Sequence, residues 1–161
     1  MKRKVFYSFH FDNDVARVQQ IRNIGMIEGN TPVSPNDWET VKRGGDNAIK
    51  KWIDDNMKYK DCVIVLIGTE TANRPWVNYE IRKAWDDGRG LFGIYIHNLK
   101  DLQKRTCSKG ANPFYNIWLK DGRRLSDYVQ CYDPNSWDAY NDIARNLEFW
   151  VETAIRSRGT H

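Results

Sequence analysis

Nowhere does this sequence contain the 18 or so consecutive apolar residues that span a bilayer, and its first residues pass into a short strand pattern rather than a signal-peptide apolar core. Its three cysteines, Cys62, Cys107 and Cys131, are far apart and include no C-x-x-C pair. An odd, scattered set of thiols indicates neither a disulfide framework nor a zinc site, and a reducing cytoplasm is the expected location. Charge is equally unconcentrated: 25 basic and 21 acidic residues are interspersed to a net +4, and the single basic cluster is Lys2-Arg3-Lys4. That footprint is weak for nucleic acid, so no nucleic-acid partner is expected, and no membrane either. There is no G-x-S-x-G elbow, no P-loop, no internal repeat and no low-complexity linker.

What is present is a globular composition, 40% hydrophobic and 13% aromatic with seven tryptophans, in 161 residues. That length suits one domain over residues 1–161, with a core over about 3–100 and a terminal helix over about 136–157. Val5 to Phe9 is β-branched and aromatic and reads as a first strand. Asp12-Asn13-Asp14 follows as a cluster of helix-capping residues, with Asp12 as the N-cap. The helix from about Asp14 to Asn23 then buries Val15, Val18 and Ile21 and turns Arg17, Gln20 and Arg22 to water. Two prolines and several turn formers between Gly29 and Asp37 predict a long functional loop, with any strand at Met26-Ile27 or Thr31-Val33 short and near an edge. A second helix spans Asp46 to Lys58.

Cys62 to Ile67 is apolar without alternation, the pattern of a strand covered on both faces, and is expected at the sheet's centre. Pro75 opens a third helix carrying Trp76, Tyr79, Ile81, Ala84 and Trp85. Leu91 to Ile96 is another buried strand. Beyond His97 the pattern breaks up, and either Asn116–Leu119 or Leu125–Val129 is the candidate for a last edge strand. Trp137, Tyr140, Ile143, Leu147, Trp150, Val151 and Ile155 then recur as one face of the terminal helix. Alternating strands and helices with fully apolar central strands predict an α/β, flavodoxin-like three-layer sandwich around a mostly parallel sheet.

Ligands of such sheets bind outside the carboxyl ends of the strands. The first strand's end (Ser8, Phe9, His10), the loop around Trp38, the helix start with Trp76, Asn78 and Glu80, and His97 at another strand's end are expected to converge there. Glu80 falls four residues after Trp76, which puts ring and carboxylate on one helical face, a setting suited to a cationic or ribosyl substrate. Gly88-x-Gly90-x-x-Gly93 matches a dinucleotide fingerprint in letters only, because its glycines leave a helix and enter a strand. His10-x-Asp12 with a distant His97 falls short of a metal ligand set, so no metal is expected. A receiver domain needs an acceptor aspartate where this central strand ends in Gly68-Thr69-Glu70.

Lys4-Val5-Phe6-Tyr7-Ser8-Phe9-His10-Phe11-Asp12-Asn13-Asp14, Asp61 to Gly68, Arg74-Pro75-Trp76-Val77-Asn78-Tyr79-Glu80-Ile81 and Leu91 to His97 together resemble the TIR-like proteins of the Thoeris ThsB type. The resemblance implies a TIR-like fold and a bacterial antiphage role. It also implies cleavage of NAD, as substrate and with no cofactor, at the nicotinamide-ribose bond after a phage-derived trigger. A cyclic ADP-ribose isomer, received by a separate effector, is the implied product. It places Glu80 at the catalytic glutamate in a W-x-x-x-E setting and Phe6, Ser8, Phe9 and His10 along the pocket. Trp76, Trp38 or Phe6 is then available to stack on a ring. Self-association is implied for such proteins. The alternative is a TIR-like module that recruits another protein and does no chemistry.

Overall fold

The computed structural model describes residues 3–25, 28–29 and 40–159. Among these described residues, five strands form one parallel sheet: β1 (Lys4–Ser8), β2 (Glu28–Gly29), β3 (Cys62–Ile67), β4 (Gly90–Tyr95) and β5 (Cys131–Tyr132). Their order is β2-β1-β3-β4-β5, the flavodoxin-like order, and β3 lies at the centre as its unbroken apolar run predicts. The order reverses between β1 and β3, where Val5 to Ser8 pair with Cys62 to Val65.

Among the described residues, the long helices that cover the sheet are α1 (Phe11–Arg22), α2 (Gly45–Met57), α3 (Pro75–Asp86) and α4 (Ala139–Arg158). Side chains along each strand alternate between faces and so build two cores. Val5, Tyr7, Cys62, Ile64, Leu66, Phe92 and Ile94 pack on α1 and α4, and Phe6, Val63, Val65, Ile67, Leu91 and Tyr95 pack on α2 and α3. Each fully buried Ile, Leu or Phe contributes about 1.5–3 kcal/mol of transfer free energy, so the two cores hold the sandwich. None of the described helices is long and apolar enough to cross a membrane.

Several expectations are corrected. Helix α1 begins at Phe11 with His10 as its N-cap, which puts Asp12 inside the helix. Arg17 does not face water: it is 6% exposed, with Nε donating to Leu99 O at 2.8 Å and Nη2 to Arg105 O at 2.9 Å. These acceptors lie more than 80 residues away, out of reach of any periodicity. The edge strand is Cys131–Tyr132, whereas Leu125–Asp127 is a short 3-10 helix and Trp118 makes one isolated bridge to Arg124. Trp137 lies before α4 and is 85% exposed, so the buried face of α4 starts at Ala139 and runs through Ile143, Leu147, Trp150 and Val151. The expected strands at Met26-Ile27 and Thr31-Val33 lie outside the described residues; the described edge pairing is Glu28–Gly29 on β1.

Candidate active site

Pro75 at the first position of α3, after an extended Arg74, launches the helix from the end of β3, and Asn78 N closes the first turn onto Arg74 O at 2.9 Å. The face of α3 turned to the sheet is Val77, Glu80, Ile81 and Ala84. Glu80 therefore takes a core position that an aliphatic residue ordinarily fills. On β1, alternation sends Phe6 and Ser8 to this same face, and Ser8, the last residue of the strand, reaches the carboxyl. Ser8 Oγ donates to Glu80 Oε1 at 2.7 Å, with the two residues 1% and 7% exposed.

No ion pair reaches Glu80 among the described residues. Burial pushes its pKa up to about 8, and the Ser8 hydrogen bond opposes part of that rise. A buried carboxyl without a cationic partner at the switch point of a parallel sheet is costly to the fold and suited to a ligand that carries positive charge.

The other expected residues divide. Phe6 is 1% exposed and meets Trp52 edge-on at 6.4 Å between centroids, so it is a core side chain beneath the rim. Phe9 packs on the opposite core, with α1 and α4. His10 sits at the N-cap of α1, where its carbonyl accepts from Asp14 N at 3.1 Å. Trp76 is half-buried and lies edge-on to Tyr79 at 5.9 Å, while Glu80 turns inward to Ser8. Asn78 is half-buried in the first turn of α3. His97 follows β4, which is separated from β1 by β3, a span of about 10 Å at ordinary strand spacing. There its Nε2 lies 3.9 Å from Asp133 Oδ1 and its ring meets Tyr95 edge-on. Burial pulls the His97 pKa down. Trp38 lies outside the described residues. The structure thus joins Ser8 to Glu80 and holds His97 apart from them.

A second buried polar group on the rim is absent from the expectations. Asp14, 2% exposed, has its Oδ2 enclosed without a hydrogen-bond partner, next to Thr71, whose hydroxyl accepts from Gly68 N at 2.8 Å. Burial raises the Asp14 pKa to about 6, opposed by the Arg17 charge and the Thr71 hydroxyl. Asp14, Arg17, Thr69 and the 101–107 loop line an open recess of about 320 Å³. Its one signal in the sequence is Gly68, since a side chain there has to overlap the Asp14 carboxylate. Of the glycine fingerprint, Gly88 turns the chain after α3 at φ +75° and Gly93 lies inside β4 against Ile67, so it forms no phosphate loop. Among the described residues no group of three His, Cys, Asp or Glu side chains is placed to hold a metal ion.

The family described as Thoeris protein ThsB, TIR-like domain, matches residues 6–101, the stretch that carries β1, α1, β3, α3 and β4. This chain belongs to the ThsB family of TIR-like proteins. A Bacillus cereus (strain MSX-D12) ThsB1, named as a proposed cyclic ADP-D-ribose synthase, is 34% identical over 152 residues, which cover 89% of this chain and 78% of that protein. Among solved structures, that of Clostridium botulinum CMP N-glycosidase, BcmB, superposes with a TM-score of 0.51 at 15% identity over 92% of this chain and 99% of that one. At that identity the likeness establishes the α/β architecture of this ThsB-family chain and nothing of its chemistry.

Proposed function

We propose that this ThsB-family protein cleaves NAD at the bond between nicotinamide and ribose and closes the remaining ADP-ribose into a cyclic isomer that signals to a separate effector. The observation that carries the reading is the inward-facing Glu80 carboxyl, held by Ser8 at the carboxyl edge of the sheet. The family and the name of its Bacillus cereus relative support the substrate.

The chemistry follows from charge. Nicotinamide in NAD is a cationic leaving group. When its bond to C1′ breaks, the electron pair moves to the pyridine nitrogen and neutralises it, leaving positive charge on the ribose. A carboxylate beside that ribose stabilises the developing oxocarbenium ion. A lone pair of the same ADP-ribose then adds to C1′, and the attacking group sheds its proton where it carries one; water in its place gives linear ADP-ribose.

Glu80 at neutral pH is largely protonated in the empty site, because its pKa is near 8. A bound pyridinium favours the ionised form, so binding the cationic substrate generates the carboxylate that the transition state needs. The free enzyme accordingly loses kcat/KM as pH falls below about 8, while kcat, set by the substrate complex, holds to lower pH.

The deciding experiment is Glu80→Gln in protein activated by extract of phage-infected cells, with nicotinamide and cyclic product resolved by mass. Release is expected to stop while the fold is kept. Turnover that survives the change removes Glu80 from the chemistry, and absence of NAD binding at millimolar concentration favours the recruiting module.

A further inference from the structure

The outer surface of α3 borders a cleft that the proposed chemistry leaves unused. It is about 540 Å³, the scale of a small-molecule site, and lies between the end of α3 and the 117–125 segment. That segment is a closed turn: Leu119 N donates to Arg123 O at 2.9 Å, Gly122 N to Leu119 O at 3.0 Å and Leu125 N to Ile117 O at 2.8 Å. One wall is Trp118, 54% exposed. Its indole is nonetheless fixed, because the Arg124 guanidinium lies over it at 4.1 Å and over Tyr115 at 3.9 Å, with Nη1 donating to Tyr115 O at 2.7 Å. Ordering an exposed indole in advance removes much of the entropy cost of stacking a ring on it.

The opposite wall is Trp85, which is already covered by the Arg158 guanidinium at 3.9 Å and by Tyr128 at 5.9 Å. Trp118 is therefore the platform with area to offer. Three cations line the cleft with it: Arg82, Lys120 and Arg158. Arg82 and Lys120 have no ion-pair partner among the described residues. Arg158 donates from Nη2 to Trp85 O at 2.7 Å, and its Nε, enclosed, has no acceptor. Of the two acids there, Asp121 already accepts from Tyr128 Oη at 2.6 Å and from Arg123 N at 2.9 Å, which leaves Asp86 as the sole acid with no such bond. A planar platform beside cations with spare donors fits an aromatic ring bearing a phosphate.

We propose that this cleft binds a mononucleotide, its base stacked on Trp118 and its phosphate held by Arg82, Lys120 and Arg158. The site lies outside the Ser8–Glu80 pair and stands whether or not Glu80 is catalytic. Helix α3 carries both, with Glu80 inward and Arg82 outward, so the two sites lie on opposite faces of one helix.

The probe is AMP, titrated calorimetrically into the full chain, with adenosine and inorganic phosphate as half-ligands. AMP is expected to saturate below millimolar concentration, and each half-ligand to bind at least about tenfold more weakly. Trp118→Ala and the double change Arg82→Ala/Lys120→Ala each weaken AMP by about tenfold or more, Trp118→Phe keeps most of the affinity because the ring remains, and Glu80→Gln leaves it unchanged. Unaltered affinity in folded Trp118→Ala overturns the proposal. So does affinity lost through Glu80→Gln alone, which assigns AMP to the Glu80 pocket, and so does binding of an acidic peptide in place of any nucleotide.

Discussion

Two carboxyl groups are buried at the carboxyl edge of this sheet, one on each face, and they are furnished differently. Asp14, on the α1 face, has a guanidinium and a hydroxyl at hand, and its pKa rises only to about 6. Glu80, on the α3 face, has a hydroxyl and no cation, and its pKa rises to about 8. A carboxyl that serves the fold is given a counter-charge by the fold. One that is denied it pays in stability for a preference toward a cation from outside. On the proposed function, that difference and the deeper desolvation of Glu80 set Glu80 aside for chemistry and leave Asp14 to architecture.

The largest expected effect tests the assignment directly. Glu80→Gln lowers nicotinamide release by at least about 100-fold, because an uncharged amide does little for an oxocarbenium ion. Asp14→Asn, at the other buried acid, leaves release within about fivefold in the same activated assay. Equal losses from the two changes erase the distinction.

Stability against pH sharpens it. The unfolded chain releases the Glu80 proton near the ordinary 4.5, while the folded chain keeps it to about 8. Between those values the unfolded state binds fewer protons, so stability is full below about pH 4.5 and falls as pH rises toward 8. At about 1.4 kcal/mol per unit, the loss is on the order of a few kcal/mol. Asp14 acts the same way over the narrower window from 3.8 to about 6. Thermal melts should therefore find Glu80→Gln more stable than wild type at pH 8, with the gap closing by about pH 4.5. A constant gap across that range contradicts the raised pKa.

The contrast between the faces also marks how far the sequence can be read. Continuous apolar runs at Cys62–Ile67 and Leu91–Ile96, and proline at position 75, locate the central strands and α3 because their signals are local. Glu80 is legible as the acid in that helix. Its burial is not, because it depends on the alternation of β1 meeting the period of α3 across 72 residues, through Ser8. Arg17 escapes for a like reason: its carbonyl acceptors belong to a loop far along the chain, so a helix pattern assigns it to water. Phe6 and Trp76 look available for stacking as residue types, and packing places one in the core and the other against Tyr79. The edge strand is missed because two residues, Cys131 and Tyr132, are too short for any periodicity.

Asp14 can be broken through its neighbour. An alanine at position 68 overlaps the buried Asp14 carboxylate, which has to shift to make room for it. Gly68→Ala is expected to cost about 1–3 kcal/mol in chemical denaturation. Adding Asp14→Ala relieves the overlap, so the pair costs less than the sum of the two singles. Strict additivity means that Gly68 is required for another reason.

The smallest effect separates two roles for Ser8, expected from sequence to line the pocket and found buried against Glu80. Its hydrogen bond lowers the carboxyl's pKa, so Ser8→Ala lets that pKa climb further. A bond worth about 1 kcal/mol corresponds to a shift of somewhat under one unit. The acid limb of kcat/KM then moves to higher pH by about that amount: activity at pH 7 drops several-fold, recovers by about pH 9, and is restored at pH 7 by Ser8→Thr, which keeps the hydroxyl. A residue that touched substrate instead raises KM by the same factor at every pH. A pH-independent loss in Ser8→Ala would return Ser8 to the pocket wall and leave Glu80 held by burial alone.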